Sequence, residues 1–596
     1  MPPTIDAATL EIVKNQLVYT ATQMAEVMRK TAFSHIAREG RDLSASIHDH
    51  QGRLLAQGAE GIPIHLCGAS YFVANFFKVF PPETLGPNDI LISNDPYKGG
   101  QHLPDITLVA PFFHAGKAQC FLMVMLHHTD IGGVAVGGLA GDAREIYGTG
   151  LIIPISKLNE SVRGILAANV RVPDDVMGDL RAQIAGIEFG RRRLTEIYDR
   201  YGASHIHDVT LELLAYSERR VRTNLAAIPD GSYTVTECMD DDGIHLTTPV
   251  PLVVKVEKRG TDVVVDFTGS SAQTMSLNSP IGNTISSVSL SLRMFLDPDI
   301  PPNEGCDAPL TVIAPSGTIN NPNAPAAVNT RATVCHRQEE AIIGGMAHLM
   351  PHKSRAASYG CSPCLLLSGQ DEESGRPFVL FAGSIPGGMG ARSTVDGVDG
   401  ITCDMSNTHY MNVETIEEKI PLLVERQEFR PDSGGPGLYR GGAAVRQVIR
   451  ARQPMVLTLF ADRQKIPAFG LFGGQPGGVA EFLLNPGTAE ERTLHSKTTN
   501  LPLHRGDVVS FSAAGGGGYG DPLARPPEQV MADVRNGKLT VEGARDYGVA
   551  IDTAGGYDEL ATHQLRDAKR RERGPIDWVI DRGESAAVYT GLPARE

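Results

Sequence analysis

The chain contains no lysine- or arginine-rich run, and its formal net charge is −15. Such a surface would repel the phosphates of a nucleic acid, so we predict no nucleic-acid partner. The longest apolar runs, such as residues 121–126, are far shorter than the ~20 residues of a membrane-spanning helix. The N-terminus, residues 1–6, lacks the basic and apolar regions of a signal peptide. Eight cysteines in 596 residues do not make a disulfide framework. We therefore predict a cytoplasmic protein with no membrane partner.

Common catalytic and nucleotide-binding signatures are also absent. No Gly-x-x-x-x-Gly-Lys-Ser/Thr or Gly-x-Ser-x-Gly sequence occurs, which argues against a phosphate loop and against an activated serine. The run Gly515–Gly520 has the glycines but no following lysine or hydroxyl residue, and Pro522 comes soon after it. We interpret this run as a tight turn between strands. Cys361 and Cys364 form a Cys-x-x-Cys without a second cysteine pair, which predicts two buried thiols near a turn.

Glycine, by contrast, is abundant, with 64 residues that fall largely in clusters. Glycine at this density indicates positive φ angles and close backbone approaches, which are typical of β-rich structure with tight loops. The length predicts several domains. We predict the α+β class: a large multidomain chain with an α/β N-terminal part that carries a metal-binding hairpin, and a β-rich, Gly-rich remainder. The expected units are an N-terminal α/β metal-site domain (1–230), a β-rich middle domain (231–430), a Gly-rich β domain (431–535) and a peripheral C-terminal helical tail (536–596).

Apolar spacing predicts several individual elements. Apolar residues at helical spacing follow Asp6, which predicts an opening helix capped by that side chain. A second helical zone is predicted from residue 173 to 227, with one apolar face formed by Leu211, Leu214, Val221 and Leu225. After the turn signal at residues 229–231 the pattern changes to strands, and a hairpin is predicted from residues 252–256 and 263–267.

Polar residues of catalytic type gather at the end of another predicted hairpin. Two apolar stretches rich in β-branched and aromatic residues flank the turn at residues 114–116. Pairing them about this turn places Asp105 beside Leu126 and His127, with His102 a few ångströms back along the chain. Two imidazoles and one carboxylate at one end of a hairpin suit a divalent metal that keeps open coordination positions. The sequence therefore predicts a metal site there.

Other polar residues are predicted to complete this site. Asp42 lies between a helix and a strand, and we predict it as a fourth metal ligand. His65, His128 and Asp130 are the predicted catalytic residues of the surrounding pocket. Asp95 and Asp130 are candidates to accept hydrogen bonds from the ring nitrogens of the metal-binding histidines. The alternative interpretation is that these side chains only form hydrogen bonds within the turns around them.

The chemistry of such a site leaves two reaction classes open. A divalent ion lowers the pKa of a bound water from near 16 to roughly 7, and it also polarises a carbonyl or stabilises an enolate. Hydrolysis and carboxylation both fit, and the ligands alone do not separate them. Manganese or zinc is the expected ion, and iron is a further option.

Six separated motifs, in order along the chain, resemble those of the hydantoinase B/oxoprolinase family. The resemblance extends from about residue 6 to about residue 550. The motifs are Asn94-Asp-Pro-Tyr-x-Gly-Gly-x-His-Leu-Pro-Asp105, His127-His-x-Asp-Ile-Gly-Gly133, Asp432-Ser-Gly-Gly-Pro-Gly-x-Tyr-Arg-Gly-Gly442, Asp462-Arg463, Gly470-Leu-Phe-Gly-Gly474 and Gly515-Gly-Gly-Gly-Tyr-Gly-Asp-Pro522. Members of this family are the metal-bearing subunits of ATP-dependent amide hydrolases and ketone carboxylases.

The resemblance implies a ligand set and a partner. The metal ligands of the family correspond to His102, Asp105 and His127, and an additional aspartate of lactam-hydrolysing members is similar to Asp42. A hydantoinase A-like ATPase subunit would bind ATP and magnesium and phosphorylate the carbonyl oxygen of the substrate. The resulting imidate would move to this chain, where metal-bound water opens the ring of a hydantoin, oxoproline or lactam. The expected assembly is a hetero-oligomer, for example with two copies of each subunit.

Two segments differ from the hydantoin- and oxoproline-hydrolysing members. These are residues 34–42 and the pair Met125-Leu126, which precedes His127. The differences leave open the substrate and the choice between hydrolase and carboxylase, and a non-enzymatic role is a separate alternative. In the carboxylase alternative, the chain is the alpha-type subunit of a ketone carboxylase of the acetone or acetophenone kind, with a small third subunit. In the non-enzymatic alternative, it is a non-catalytic scaffold that stabilises its ATPase partner.

Overall fold

A computed structural model describes residues 5–596, without the side chains of residues 382 and 383. Residues 1–4 lie outside the described residues. They belong to the N-terminal segment whose composition predicts no signal peptide. The chain is a large mixed α and β protein with several separate sheets, which confirms the predicted class. Within the described residues, no helix is both long enough and apolar enough to cross a lipid bilayer.

The N-terminal part is an antiparallel sheet with helices on both faces. Its elements are α1 (Ala7–Thr31), α2 (His35–Arg38), β1 (Leu43–His48), β2 (Leu54–Gln57), α3 (Pro63–Leu66), α4 (Ala69–Val79), β3 (Leu91–Ser93), β4 (Asp105–His114), β5 (Lys117–His127), β6 (Ser156–Lys157), α5 (Glu160–Asn169), α6 (Pro173–Tyr201) and α7 (Ala203–Ala226). The strand order is β2-β1-β5-β4-β3-β6. Side chains alternate along β5, so Leu122 and Val124 share a core with α1 and α6, whereas Phe121 and Met123 share one with α4. Asp6 caps α1 as predicted.

The helical zone predicted from residue 173 to 227 is confirmed as α6 and α7. Of the four residues predicted to form one apolar face, Leu214, Val221 and Leu225 are buried, but Leu211 is 40% exposed. The prediction for Leu211 is wrong because this residue lies about 60° around the helix from Leu214, at the edge of the buried stripe.

The middle part is a four-stranded sheet covered by two helices. Its elements are β7 (Gly231–Met239), β8 (Val250–Arg259), β9 (Asp262–Asp266), α8 (Ile281–Arg293), β10 (Leu310–Ile313) and α9 (Arg331–Leu349). The strand order is β10-β9-β8-β7, and β8 with β9 is the predicted hairpin. Residues of α8 and α9 share one apolar core with this sheet.

The C-terminal part contains two larger sheets, a short two-stranded one and peripheral helices. Its elements are β11 (Cys364–Gln370), β12 (Pro377–Ser384), α10 (Val413–Lys419), β13 (Leu422–Phe429), β14 (Val445–Ala451), β15 (Met455–Phe460), β16 (Gly470–Leu471), β17 (Glu481–Leu484), β18 (Arg492–Thr493), β19 (Leu501–Leu503), β20 (Val508–Ser512), α11 (Pro527–Arg535), α12 (Glu559–Arg573), β21 (Ile580–Asp581) and α13 (Glu584–Thr590). The strand orders are β12-β11-β15-β19, β13-β14-β20-β17-β18 and β16-β21.

The sheets cross two of the predicted domain boundaries. Strands β11 and β12, from the predicted middle domain, share a sheet with β15 and β19, which lie beyond residue 431. The segment 536–596, predicted as a peripheral tail, contributes β21 to a pair with β16, and its Ile580 is buried in the core of the middle part. The change in glycine content near residue 431 therefore does not mark the edge of a hydrogen-bonded unit.

Four glycine-rich segments meet in the interior, and we call them the glycine core: residues 387–390, 434–442, 474–478 and 515–518. Here backbone lies directly against backbone. The amide of Gly516 donates to the carbonyl of Gly442 at 3.1 Å, and a Cβ at residue 516 would lie 2.1 Å from the carbonyl oxygen of Met389. The prediction of a tight turn is therefore wrong for residues 515–518, which are buried between other segments and bonded to them.

Candidate metal centre

The hairpin of β4 and β5 places two of the predicted metal ligands directly opposite each other. Pairing is antiparallel, and a bulge between Phe112 and Phe113 shifts the register by one residue. Because of this shift, Asp105 faces His127 at the end of the hairpin. Asp42 directly precedes β1, the strand on the other side of β5, and the amide of His127 donates to the carbonyl of Asp42 at 3.0 Å. This hydrogen bond holds Asp42 at the same end of the hairpin. The local strand pairing thus determines which side chains meet.

The side chains form two overlapping clusters that share Asp105. His102, Asp105 and His127 each offer one ligand atom, and these atoms lie within 4.8 Å of one another. The same holds for Asp42, His65 and Asp105. His102 Nε2 lies 3.2 Å from Asp105 Oδ2, and His65 Nε2 lies 3.7 Å from both Asp42 Oδ1 and Asp105 Oδ1. The structure therefore brings together five of the side chains that the sequence analysis placed in or beside the site.

The electrostatics of the first cluster favour the metal-binding protonation states. Burial, and then the neighbouring His102, lower the pKa of His127 well below its ordinary value. Burial also lowers the pKa of His102. Burial acts in the opposite direction on Asp105, but His102, His65 and Arg331 outweigh it and hold the pKa of that carboxyl well below its usual range. Two neutral imidazoles beside a carboxylate are the forms that coordinate a divalent ion.

The pKa of Asp42 shifts in the opposite direction to that of Asp105. Burial, and then the Asp105 carboxylate, raise the pKa of Asp42 to about 8. The half-buried carboxylate of Asp42 and the buried one of Asp105 repel each other, and a cation between them would relieve that repulsion.

Unsatisfied polar atoms provide an independent test of whether a metal fits. Both ring nitrogens of His102, Nδ1 of His127 and Oδ1 of Asp105 are buried and have no hydrogen-bond partner among the described residues. Each such atom costs about 1–3 kcal/mol when left unpaired in a protein interior. One ligand atom from each of these three residues lies within 4.8 Å of the others, as in a ligand set, and two imidazoles with one or two carboxylates match manganese, zinc or iron. The residues present therefore fit a divalent metal.

Asp42, His65, His102 and His127 line a cavity that is partly open to solvent. Apolar and hydroxyl side chains from distant parts of the chain close it: Ile62, Ile64, Leu139, Ser362, Cys364, Phe381, Ser384, Met405, Ser406 and Phe460. Cys361 and Cys364 are both free and buried, as predicted, and Cys364 belongs to this lining.

Several residues of this cavity were not predicted from the sequence. Arg331, at the start of α9, donates from Nη2 to Asp105 Oδ2 at 2.8 Å. Asn329 and His336 also line the cavity. The ring of Phe381 stacks on His127 with 5.2 Å between centroids. These residues lie more than 200 positions from the hairpin, and the helix that begins at residue 331 is no richer in charged residues than the chain as a whole, so no local signal in its sequence indicated this role.

Two of the predicted catalytic residues lie outside the cavity lining. His128 follows β5 and points to the opposite side from His127, where its Nε2 lies 3.1 Å from Gln183 Oε1 of α6. Asp130 accepts hydrogen bonds from the backbone of Gly132 and Gly137 and forms an ion pair with Arg171, which organises the loop. The two side chains thus have structural partners away from the cluster.

His65 keeps its predicted place, whereas Asp95 does not. His65 lines the cavity, and its Nδ1 lies 3.2 Å from Ser44 Oγ. Asp95 accepts from the backbone amide of Tyr97 at 3.0 Å and so caps a turn. Neither Asp95 nor Asp130 contacts a ring nitrogen of His102 or His127 in the part of the chain that the structure describes.

The chain is similar to known proteins of one family. The sequence profile of the family described as Hydantoinase B/oxoprolinase matches residues 6–522. The chain is similar to the beta subunit of the caprolactamase of Pseudomonas jessenii, with 32% identity over 590 residues that cover 95% of this chain and 100% of that protein. It is also similar to the B-type subunit of a provisionally named D-/L-hydantoinase of Pseudomonas sp. strain NS671, with 30% identity over 94% of this chain and 98% of that protein.

Solved structures show the same fold. The crystal structure of the ATP-dependent caprolactamase from Pseudomonas jessenii superimposes with a TM-score of 0.87 at 32% identity, covering 95% of this chain and 100% of that chain. A nucleotide-free acetone carboxylase structure superimposes with a TM-score of 0.86 at 21% identity, covering 94% of this chain and 83% of that chain. At this lower identity the likeness demonstrates a shared fold alone.

Proposed function

The chain belongs to the hydantoinase B/oxoprolinase family, and on that premise we propose that it is the metal-bearing subunit of an ATP-dependent cyclic amide hydrolase. The observation that carries the proposal is the buried cluster of His102, Asp105 and His127, with unpaired ligand atoms beside a partly open cavity. Relatives of similar length are named for caprolactam and hydantoin hydrolysis.

The proposed metal site uses His102, Asp105 and His127, with Asp42 as a fourth ligand. A bound divalent ion would supply Lewis acidity towards a water molecule or a carbonyl oxygen. His65 lies within 3.7 Å of both carboxylates and is held by Ser44, so it positions Asp42 and Asp105. Phe381, stacked on His127, fixes the plane of that imidazole.

The remaining residues of the cavity would bind and orient the substrate. Arg331 provides a cation beside Asp105, and its buried Nε has no partner among the described residues. This guanidinium is suited to an anionic group such as a phosphorylated carbonyl oxygen. Apolar residues such as Leu139, Met405 and Phe460 would contact the carbon atoms of the ring and exclude bulk water.

The proposal includes an ATPase partner. The sequence contains no phosphate-binding loop signature, and the name of one relative as a beta subunit indicates a division of labour in that protein. For this chain we propose a hetero-oligomer in which a hydantoinase A-like partner binds ATP and magnesium and phosphorylates the substrate.

The direct test is to purify this chain with its ATPase partner and assay lactams, hydantoins and oxoproline with ATP. We expect ring opening that depends on both proteins, on ATP and on a divalent ion bound to this chain. Small ketones are assayed in parallel with and without bicarbonate. Carboxylation of a ketone, without amide hydrolysis, would reassign the chain to the carboxylase alternative. Unchanged ring opening after substitution of His102 and His127 would reassign it to a scaffold.

A further inference from the structure

Helix α9 carries a second polar network that the proposed metal chemistry does not use. From Arg331 to Glu340 nearly every residue of this helix is buried, including Arg337, Glu339 and Glu340. Burying charges is costly unless they are paired, and a well-packed apolar helix would be at least as stable. Such a network therefore calls for an explanation other than stability.

We call the cavity that His102 and His127 line the metal-site cavity, and one end of the network reaches it. His336 and Ser362 both line that cavity, and His336 Nε2 lies 2.9 Å from Ser362 Oγ. The other ring nitrogen, Nδ1, lies 3.6 Å from Glu339 Oε2 and has no hydrogen-bond partner among the described residues. The imidazole thus stands between the cavity and a buried carboxyl group.

The other end reaches a second cavity. Glu339 Oε1 and Asp404 Oδ2 each lie 2.6 Å from the same nitrogen, Nη2 of Arg355. Glu339 is 1% exposed, whereas the side chain of Asp404 is 21% exposed. Asp404 and Arg355 line this second cavity together with the exposed Arg392. The carboxyl pair therefore connects the buried imidazole with solvent.

We propose that His336, Glu339 and Asp404 form a proton relay between the metal-site cavity and solvent at the second cavity. The inference rests on the proposed function, because it assigns the relay to the ring-opening reaction. In the proposed reaction, one water adds to the phosphorylated imidate carbon as a new C–O bond and the C–N bond breaks, so both protons of this water end on the released nitrogen and an acyl phosphate remains. A second water converts the acyl phosphate to a carboxylate and inorganic phosphate and releases one proton. A substrate that fills the cavity excludes the bulk water that would otherwise carry these protons.

The charges around the relay suit this role. Burial, and then the Asp404 carboxylate, raise the pKa of Glu339 well above its ordinary value, even though Arg355 opposes this. Arg355 and a hydrogen bond with Glu339 outweigh burial and lower the pKa of Asp404. Of the two carboxyl groups, Glu339 therefore holds a proton more readily than Asp404, and Glu340 also faces this pair.

Burial, and then Arg337, lower the pKa of His336 to about 3, with Arg331 and Arg355 acting in the same direction and Asp404 opposing them. The ring is therefore neutral. A neutral imidazole accepts a proton on one nitrogen and releases one from the other, as a relay requires.

The test compares Glu339→Gln with Glu340→Gln in the complex with the ATPase partner. Both residues are 1% exposed and contact Arg355, but Glu340 does not lie between His336 and Asp404. We expect kcat of Glu339→Gln to fall by about 10-fold or more, with KM and metal content unchanged. Asp404→Asn should slow turnover in the same way, and added imidazole should restore its rate. Glu340→Gln should keep the wild-type dependence on pH and on buffer concentration.

Equal losses in both glutamine variants, without rescue of Asp404→Asn by imidazole, would show a structural network and overturn the relay. Wild-type kcat and pH profile in Glu339→Gln would also overturn it. Infrared difference spectra of the wild type and Glu339→Gln at neutral pH provide a test that needs no turnover. The carbonyl stretch of a protonated carboxyl is expected, and an ionised Glu339 would exclude the relay. If the wild-type complex hydrolyses no cyclic amide, the proposed function fails, and the infrared result still decides on the relay.

Discussion

The metal-site hairpin and the glycine core are both buried and both built from separate segments, but they depend on opposite properties of the sequence. In the hairpin, particular side chains at the ends of β4 and β5 meet across a short backbone distance. In the glycine core the absence of side chains lets backbones touch, and a Cβ at Gly388 would lie 1.8 Å from the carbonyl oxygen of Gly442. One region should therefore tolerate substitution structurally while losing its chemistry. The other should lose its structure through the addition of a single methyl group.

The largest expected effect is in the glycine core. In Gly516→Ala, the new Cβ would lie 2.1 Å from the carbonyl oxygen of Met389, which is backbone and cannot move independently. We expect a loss of about 4 kcal/mol or more in the free energy of unfolding, measured by denaturant or thermal unfolding. Gly164→Ala is the matched control, because this residue lies in α5 with no atom within 4 Å of the position that the new Cβ would take, and it should gain up to about 1 kcal/mol. Equal stability of the two variants would contradict the role of backbone contact.

The second effect is the loss of chemistry from the hairpin without loss of fold. His102→Ala removes a proposed ligand whose ring nitrogens have no hydrogen-bond partner among the described residues. We expect ring-opening activity to fall by at least about 100-fold, and bound metal per chain to fall as well, with thermal unfolding nearly unchanged. His114→Ala, at the other end of the same hairpin and paired with Asp199 near the surface, should keep both activity and metal. Full metal content in His102→Ala would exclude the proposed ligand set.

A third, smaller effect concerns the metal-free protein. The pKa of Asp42 is raised from 3.8 to about 8, so its folded state holds a proton that the unfolded state has lost. Its contribution is therefore fully present below about pH 4 and is lost as the pH rises through about 8. We expect the metal-free wild type to lose stability over this range relative to Asp42→Asn, as measured by urea unfolding. Adding the divalent ion should remove the difference in slope. Parallel pH profiles of the two metal-free proteins would contradict the raised pKa.

The smallest expected effect is that of His128→Asn, which is compared with the same substitution at the adjacent His127. His128 lies on the opposite side of the strand from His127 and faces Gln183. His128→Asn should therefore lower the free energy of unfolding by about 1–3 kcal/mol and leave activity and metal content close to those of the wild type. His127→Asn should lose both. A comparable loss of activity in His128→Asn, with the metal retained, would restore the catalytic role predicted from the sequence.

The predictable parts of the site are those whose contacts form between residues close together in the sequence. Asp105 and His127 were predicted as neighbours because a short turn fixes the pairing of their strands, and the bulge at Phe112 and Phe113 changed that register by only one residue. His128 and Asp130 were placed in the pocket by proximity in sequence. The alternation of side chains along β5 and the loop contacts of Asp130 direct them elsewhere.

The sequence by itself determined the family, the mixed α and β class, the opening helix, the hairpin and the residues at its end, because all of these depend on local spacing or on recognisable motifs. Only the tertiary structure decided that Arg331, His336 and Phe381 close the cavity, that β11 and β15 share a sheet across the predicted boundary, and that residues 515–518 lie in the interior. These outcomes depend on contacts between segments far apart in the chain. Such contacts are fixed by the packing of the whole molecule, and no local pattern of residues specifies them.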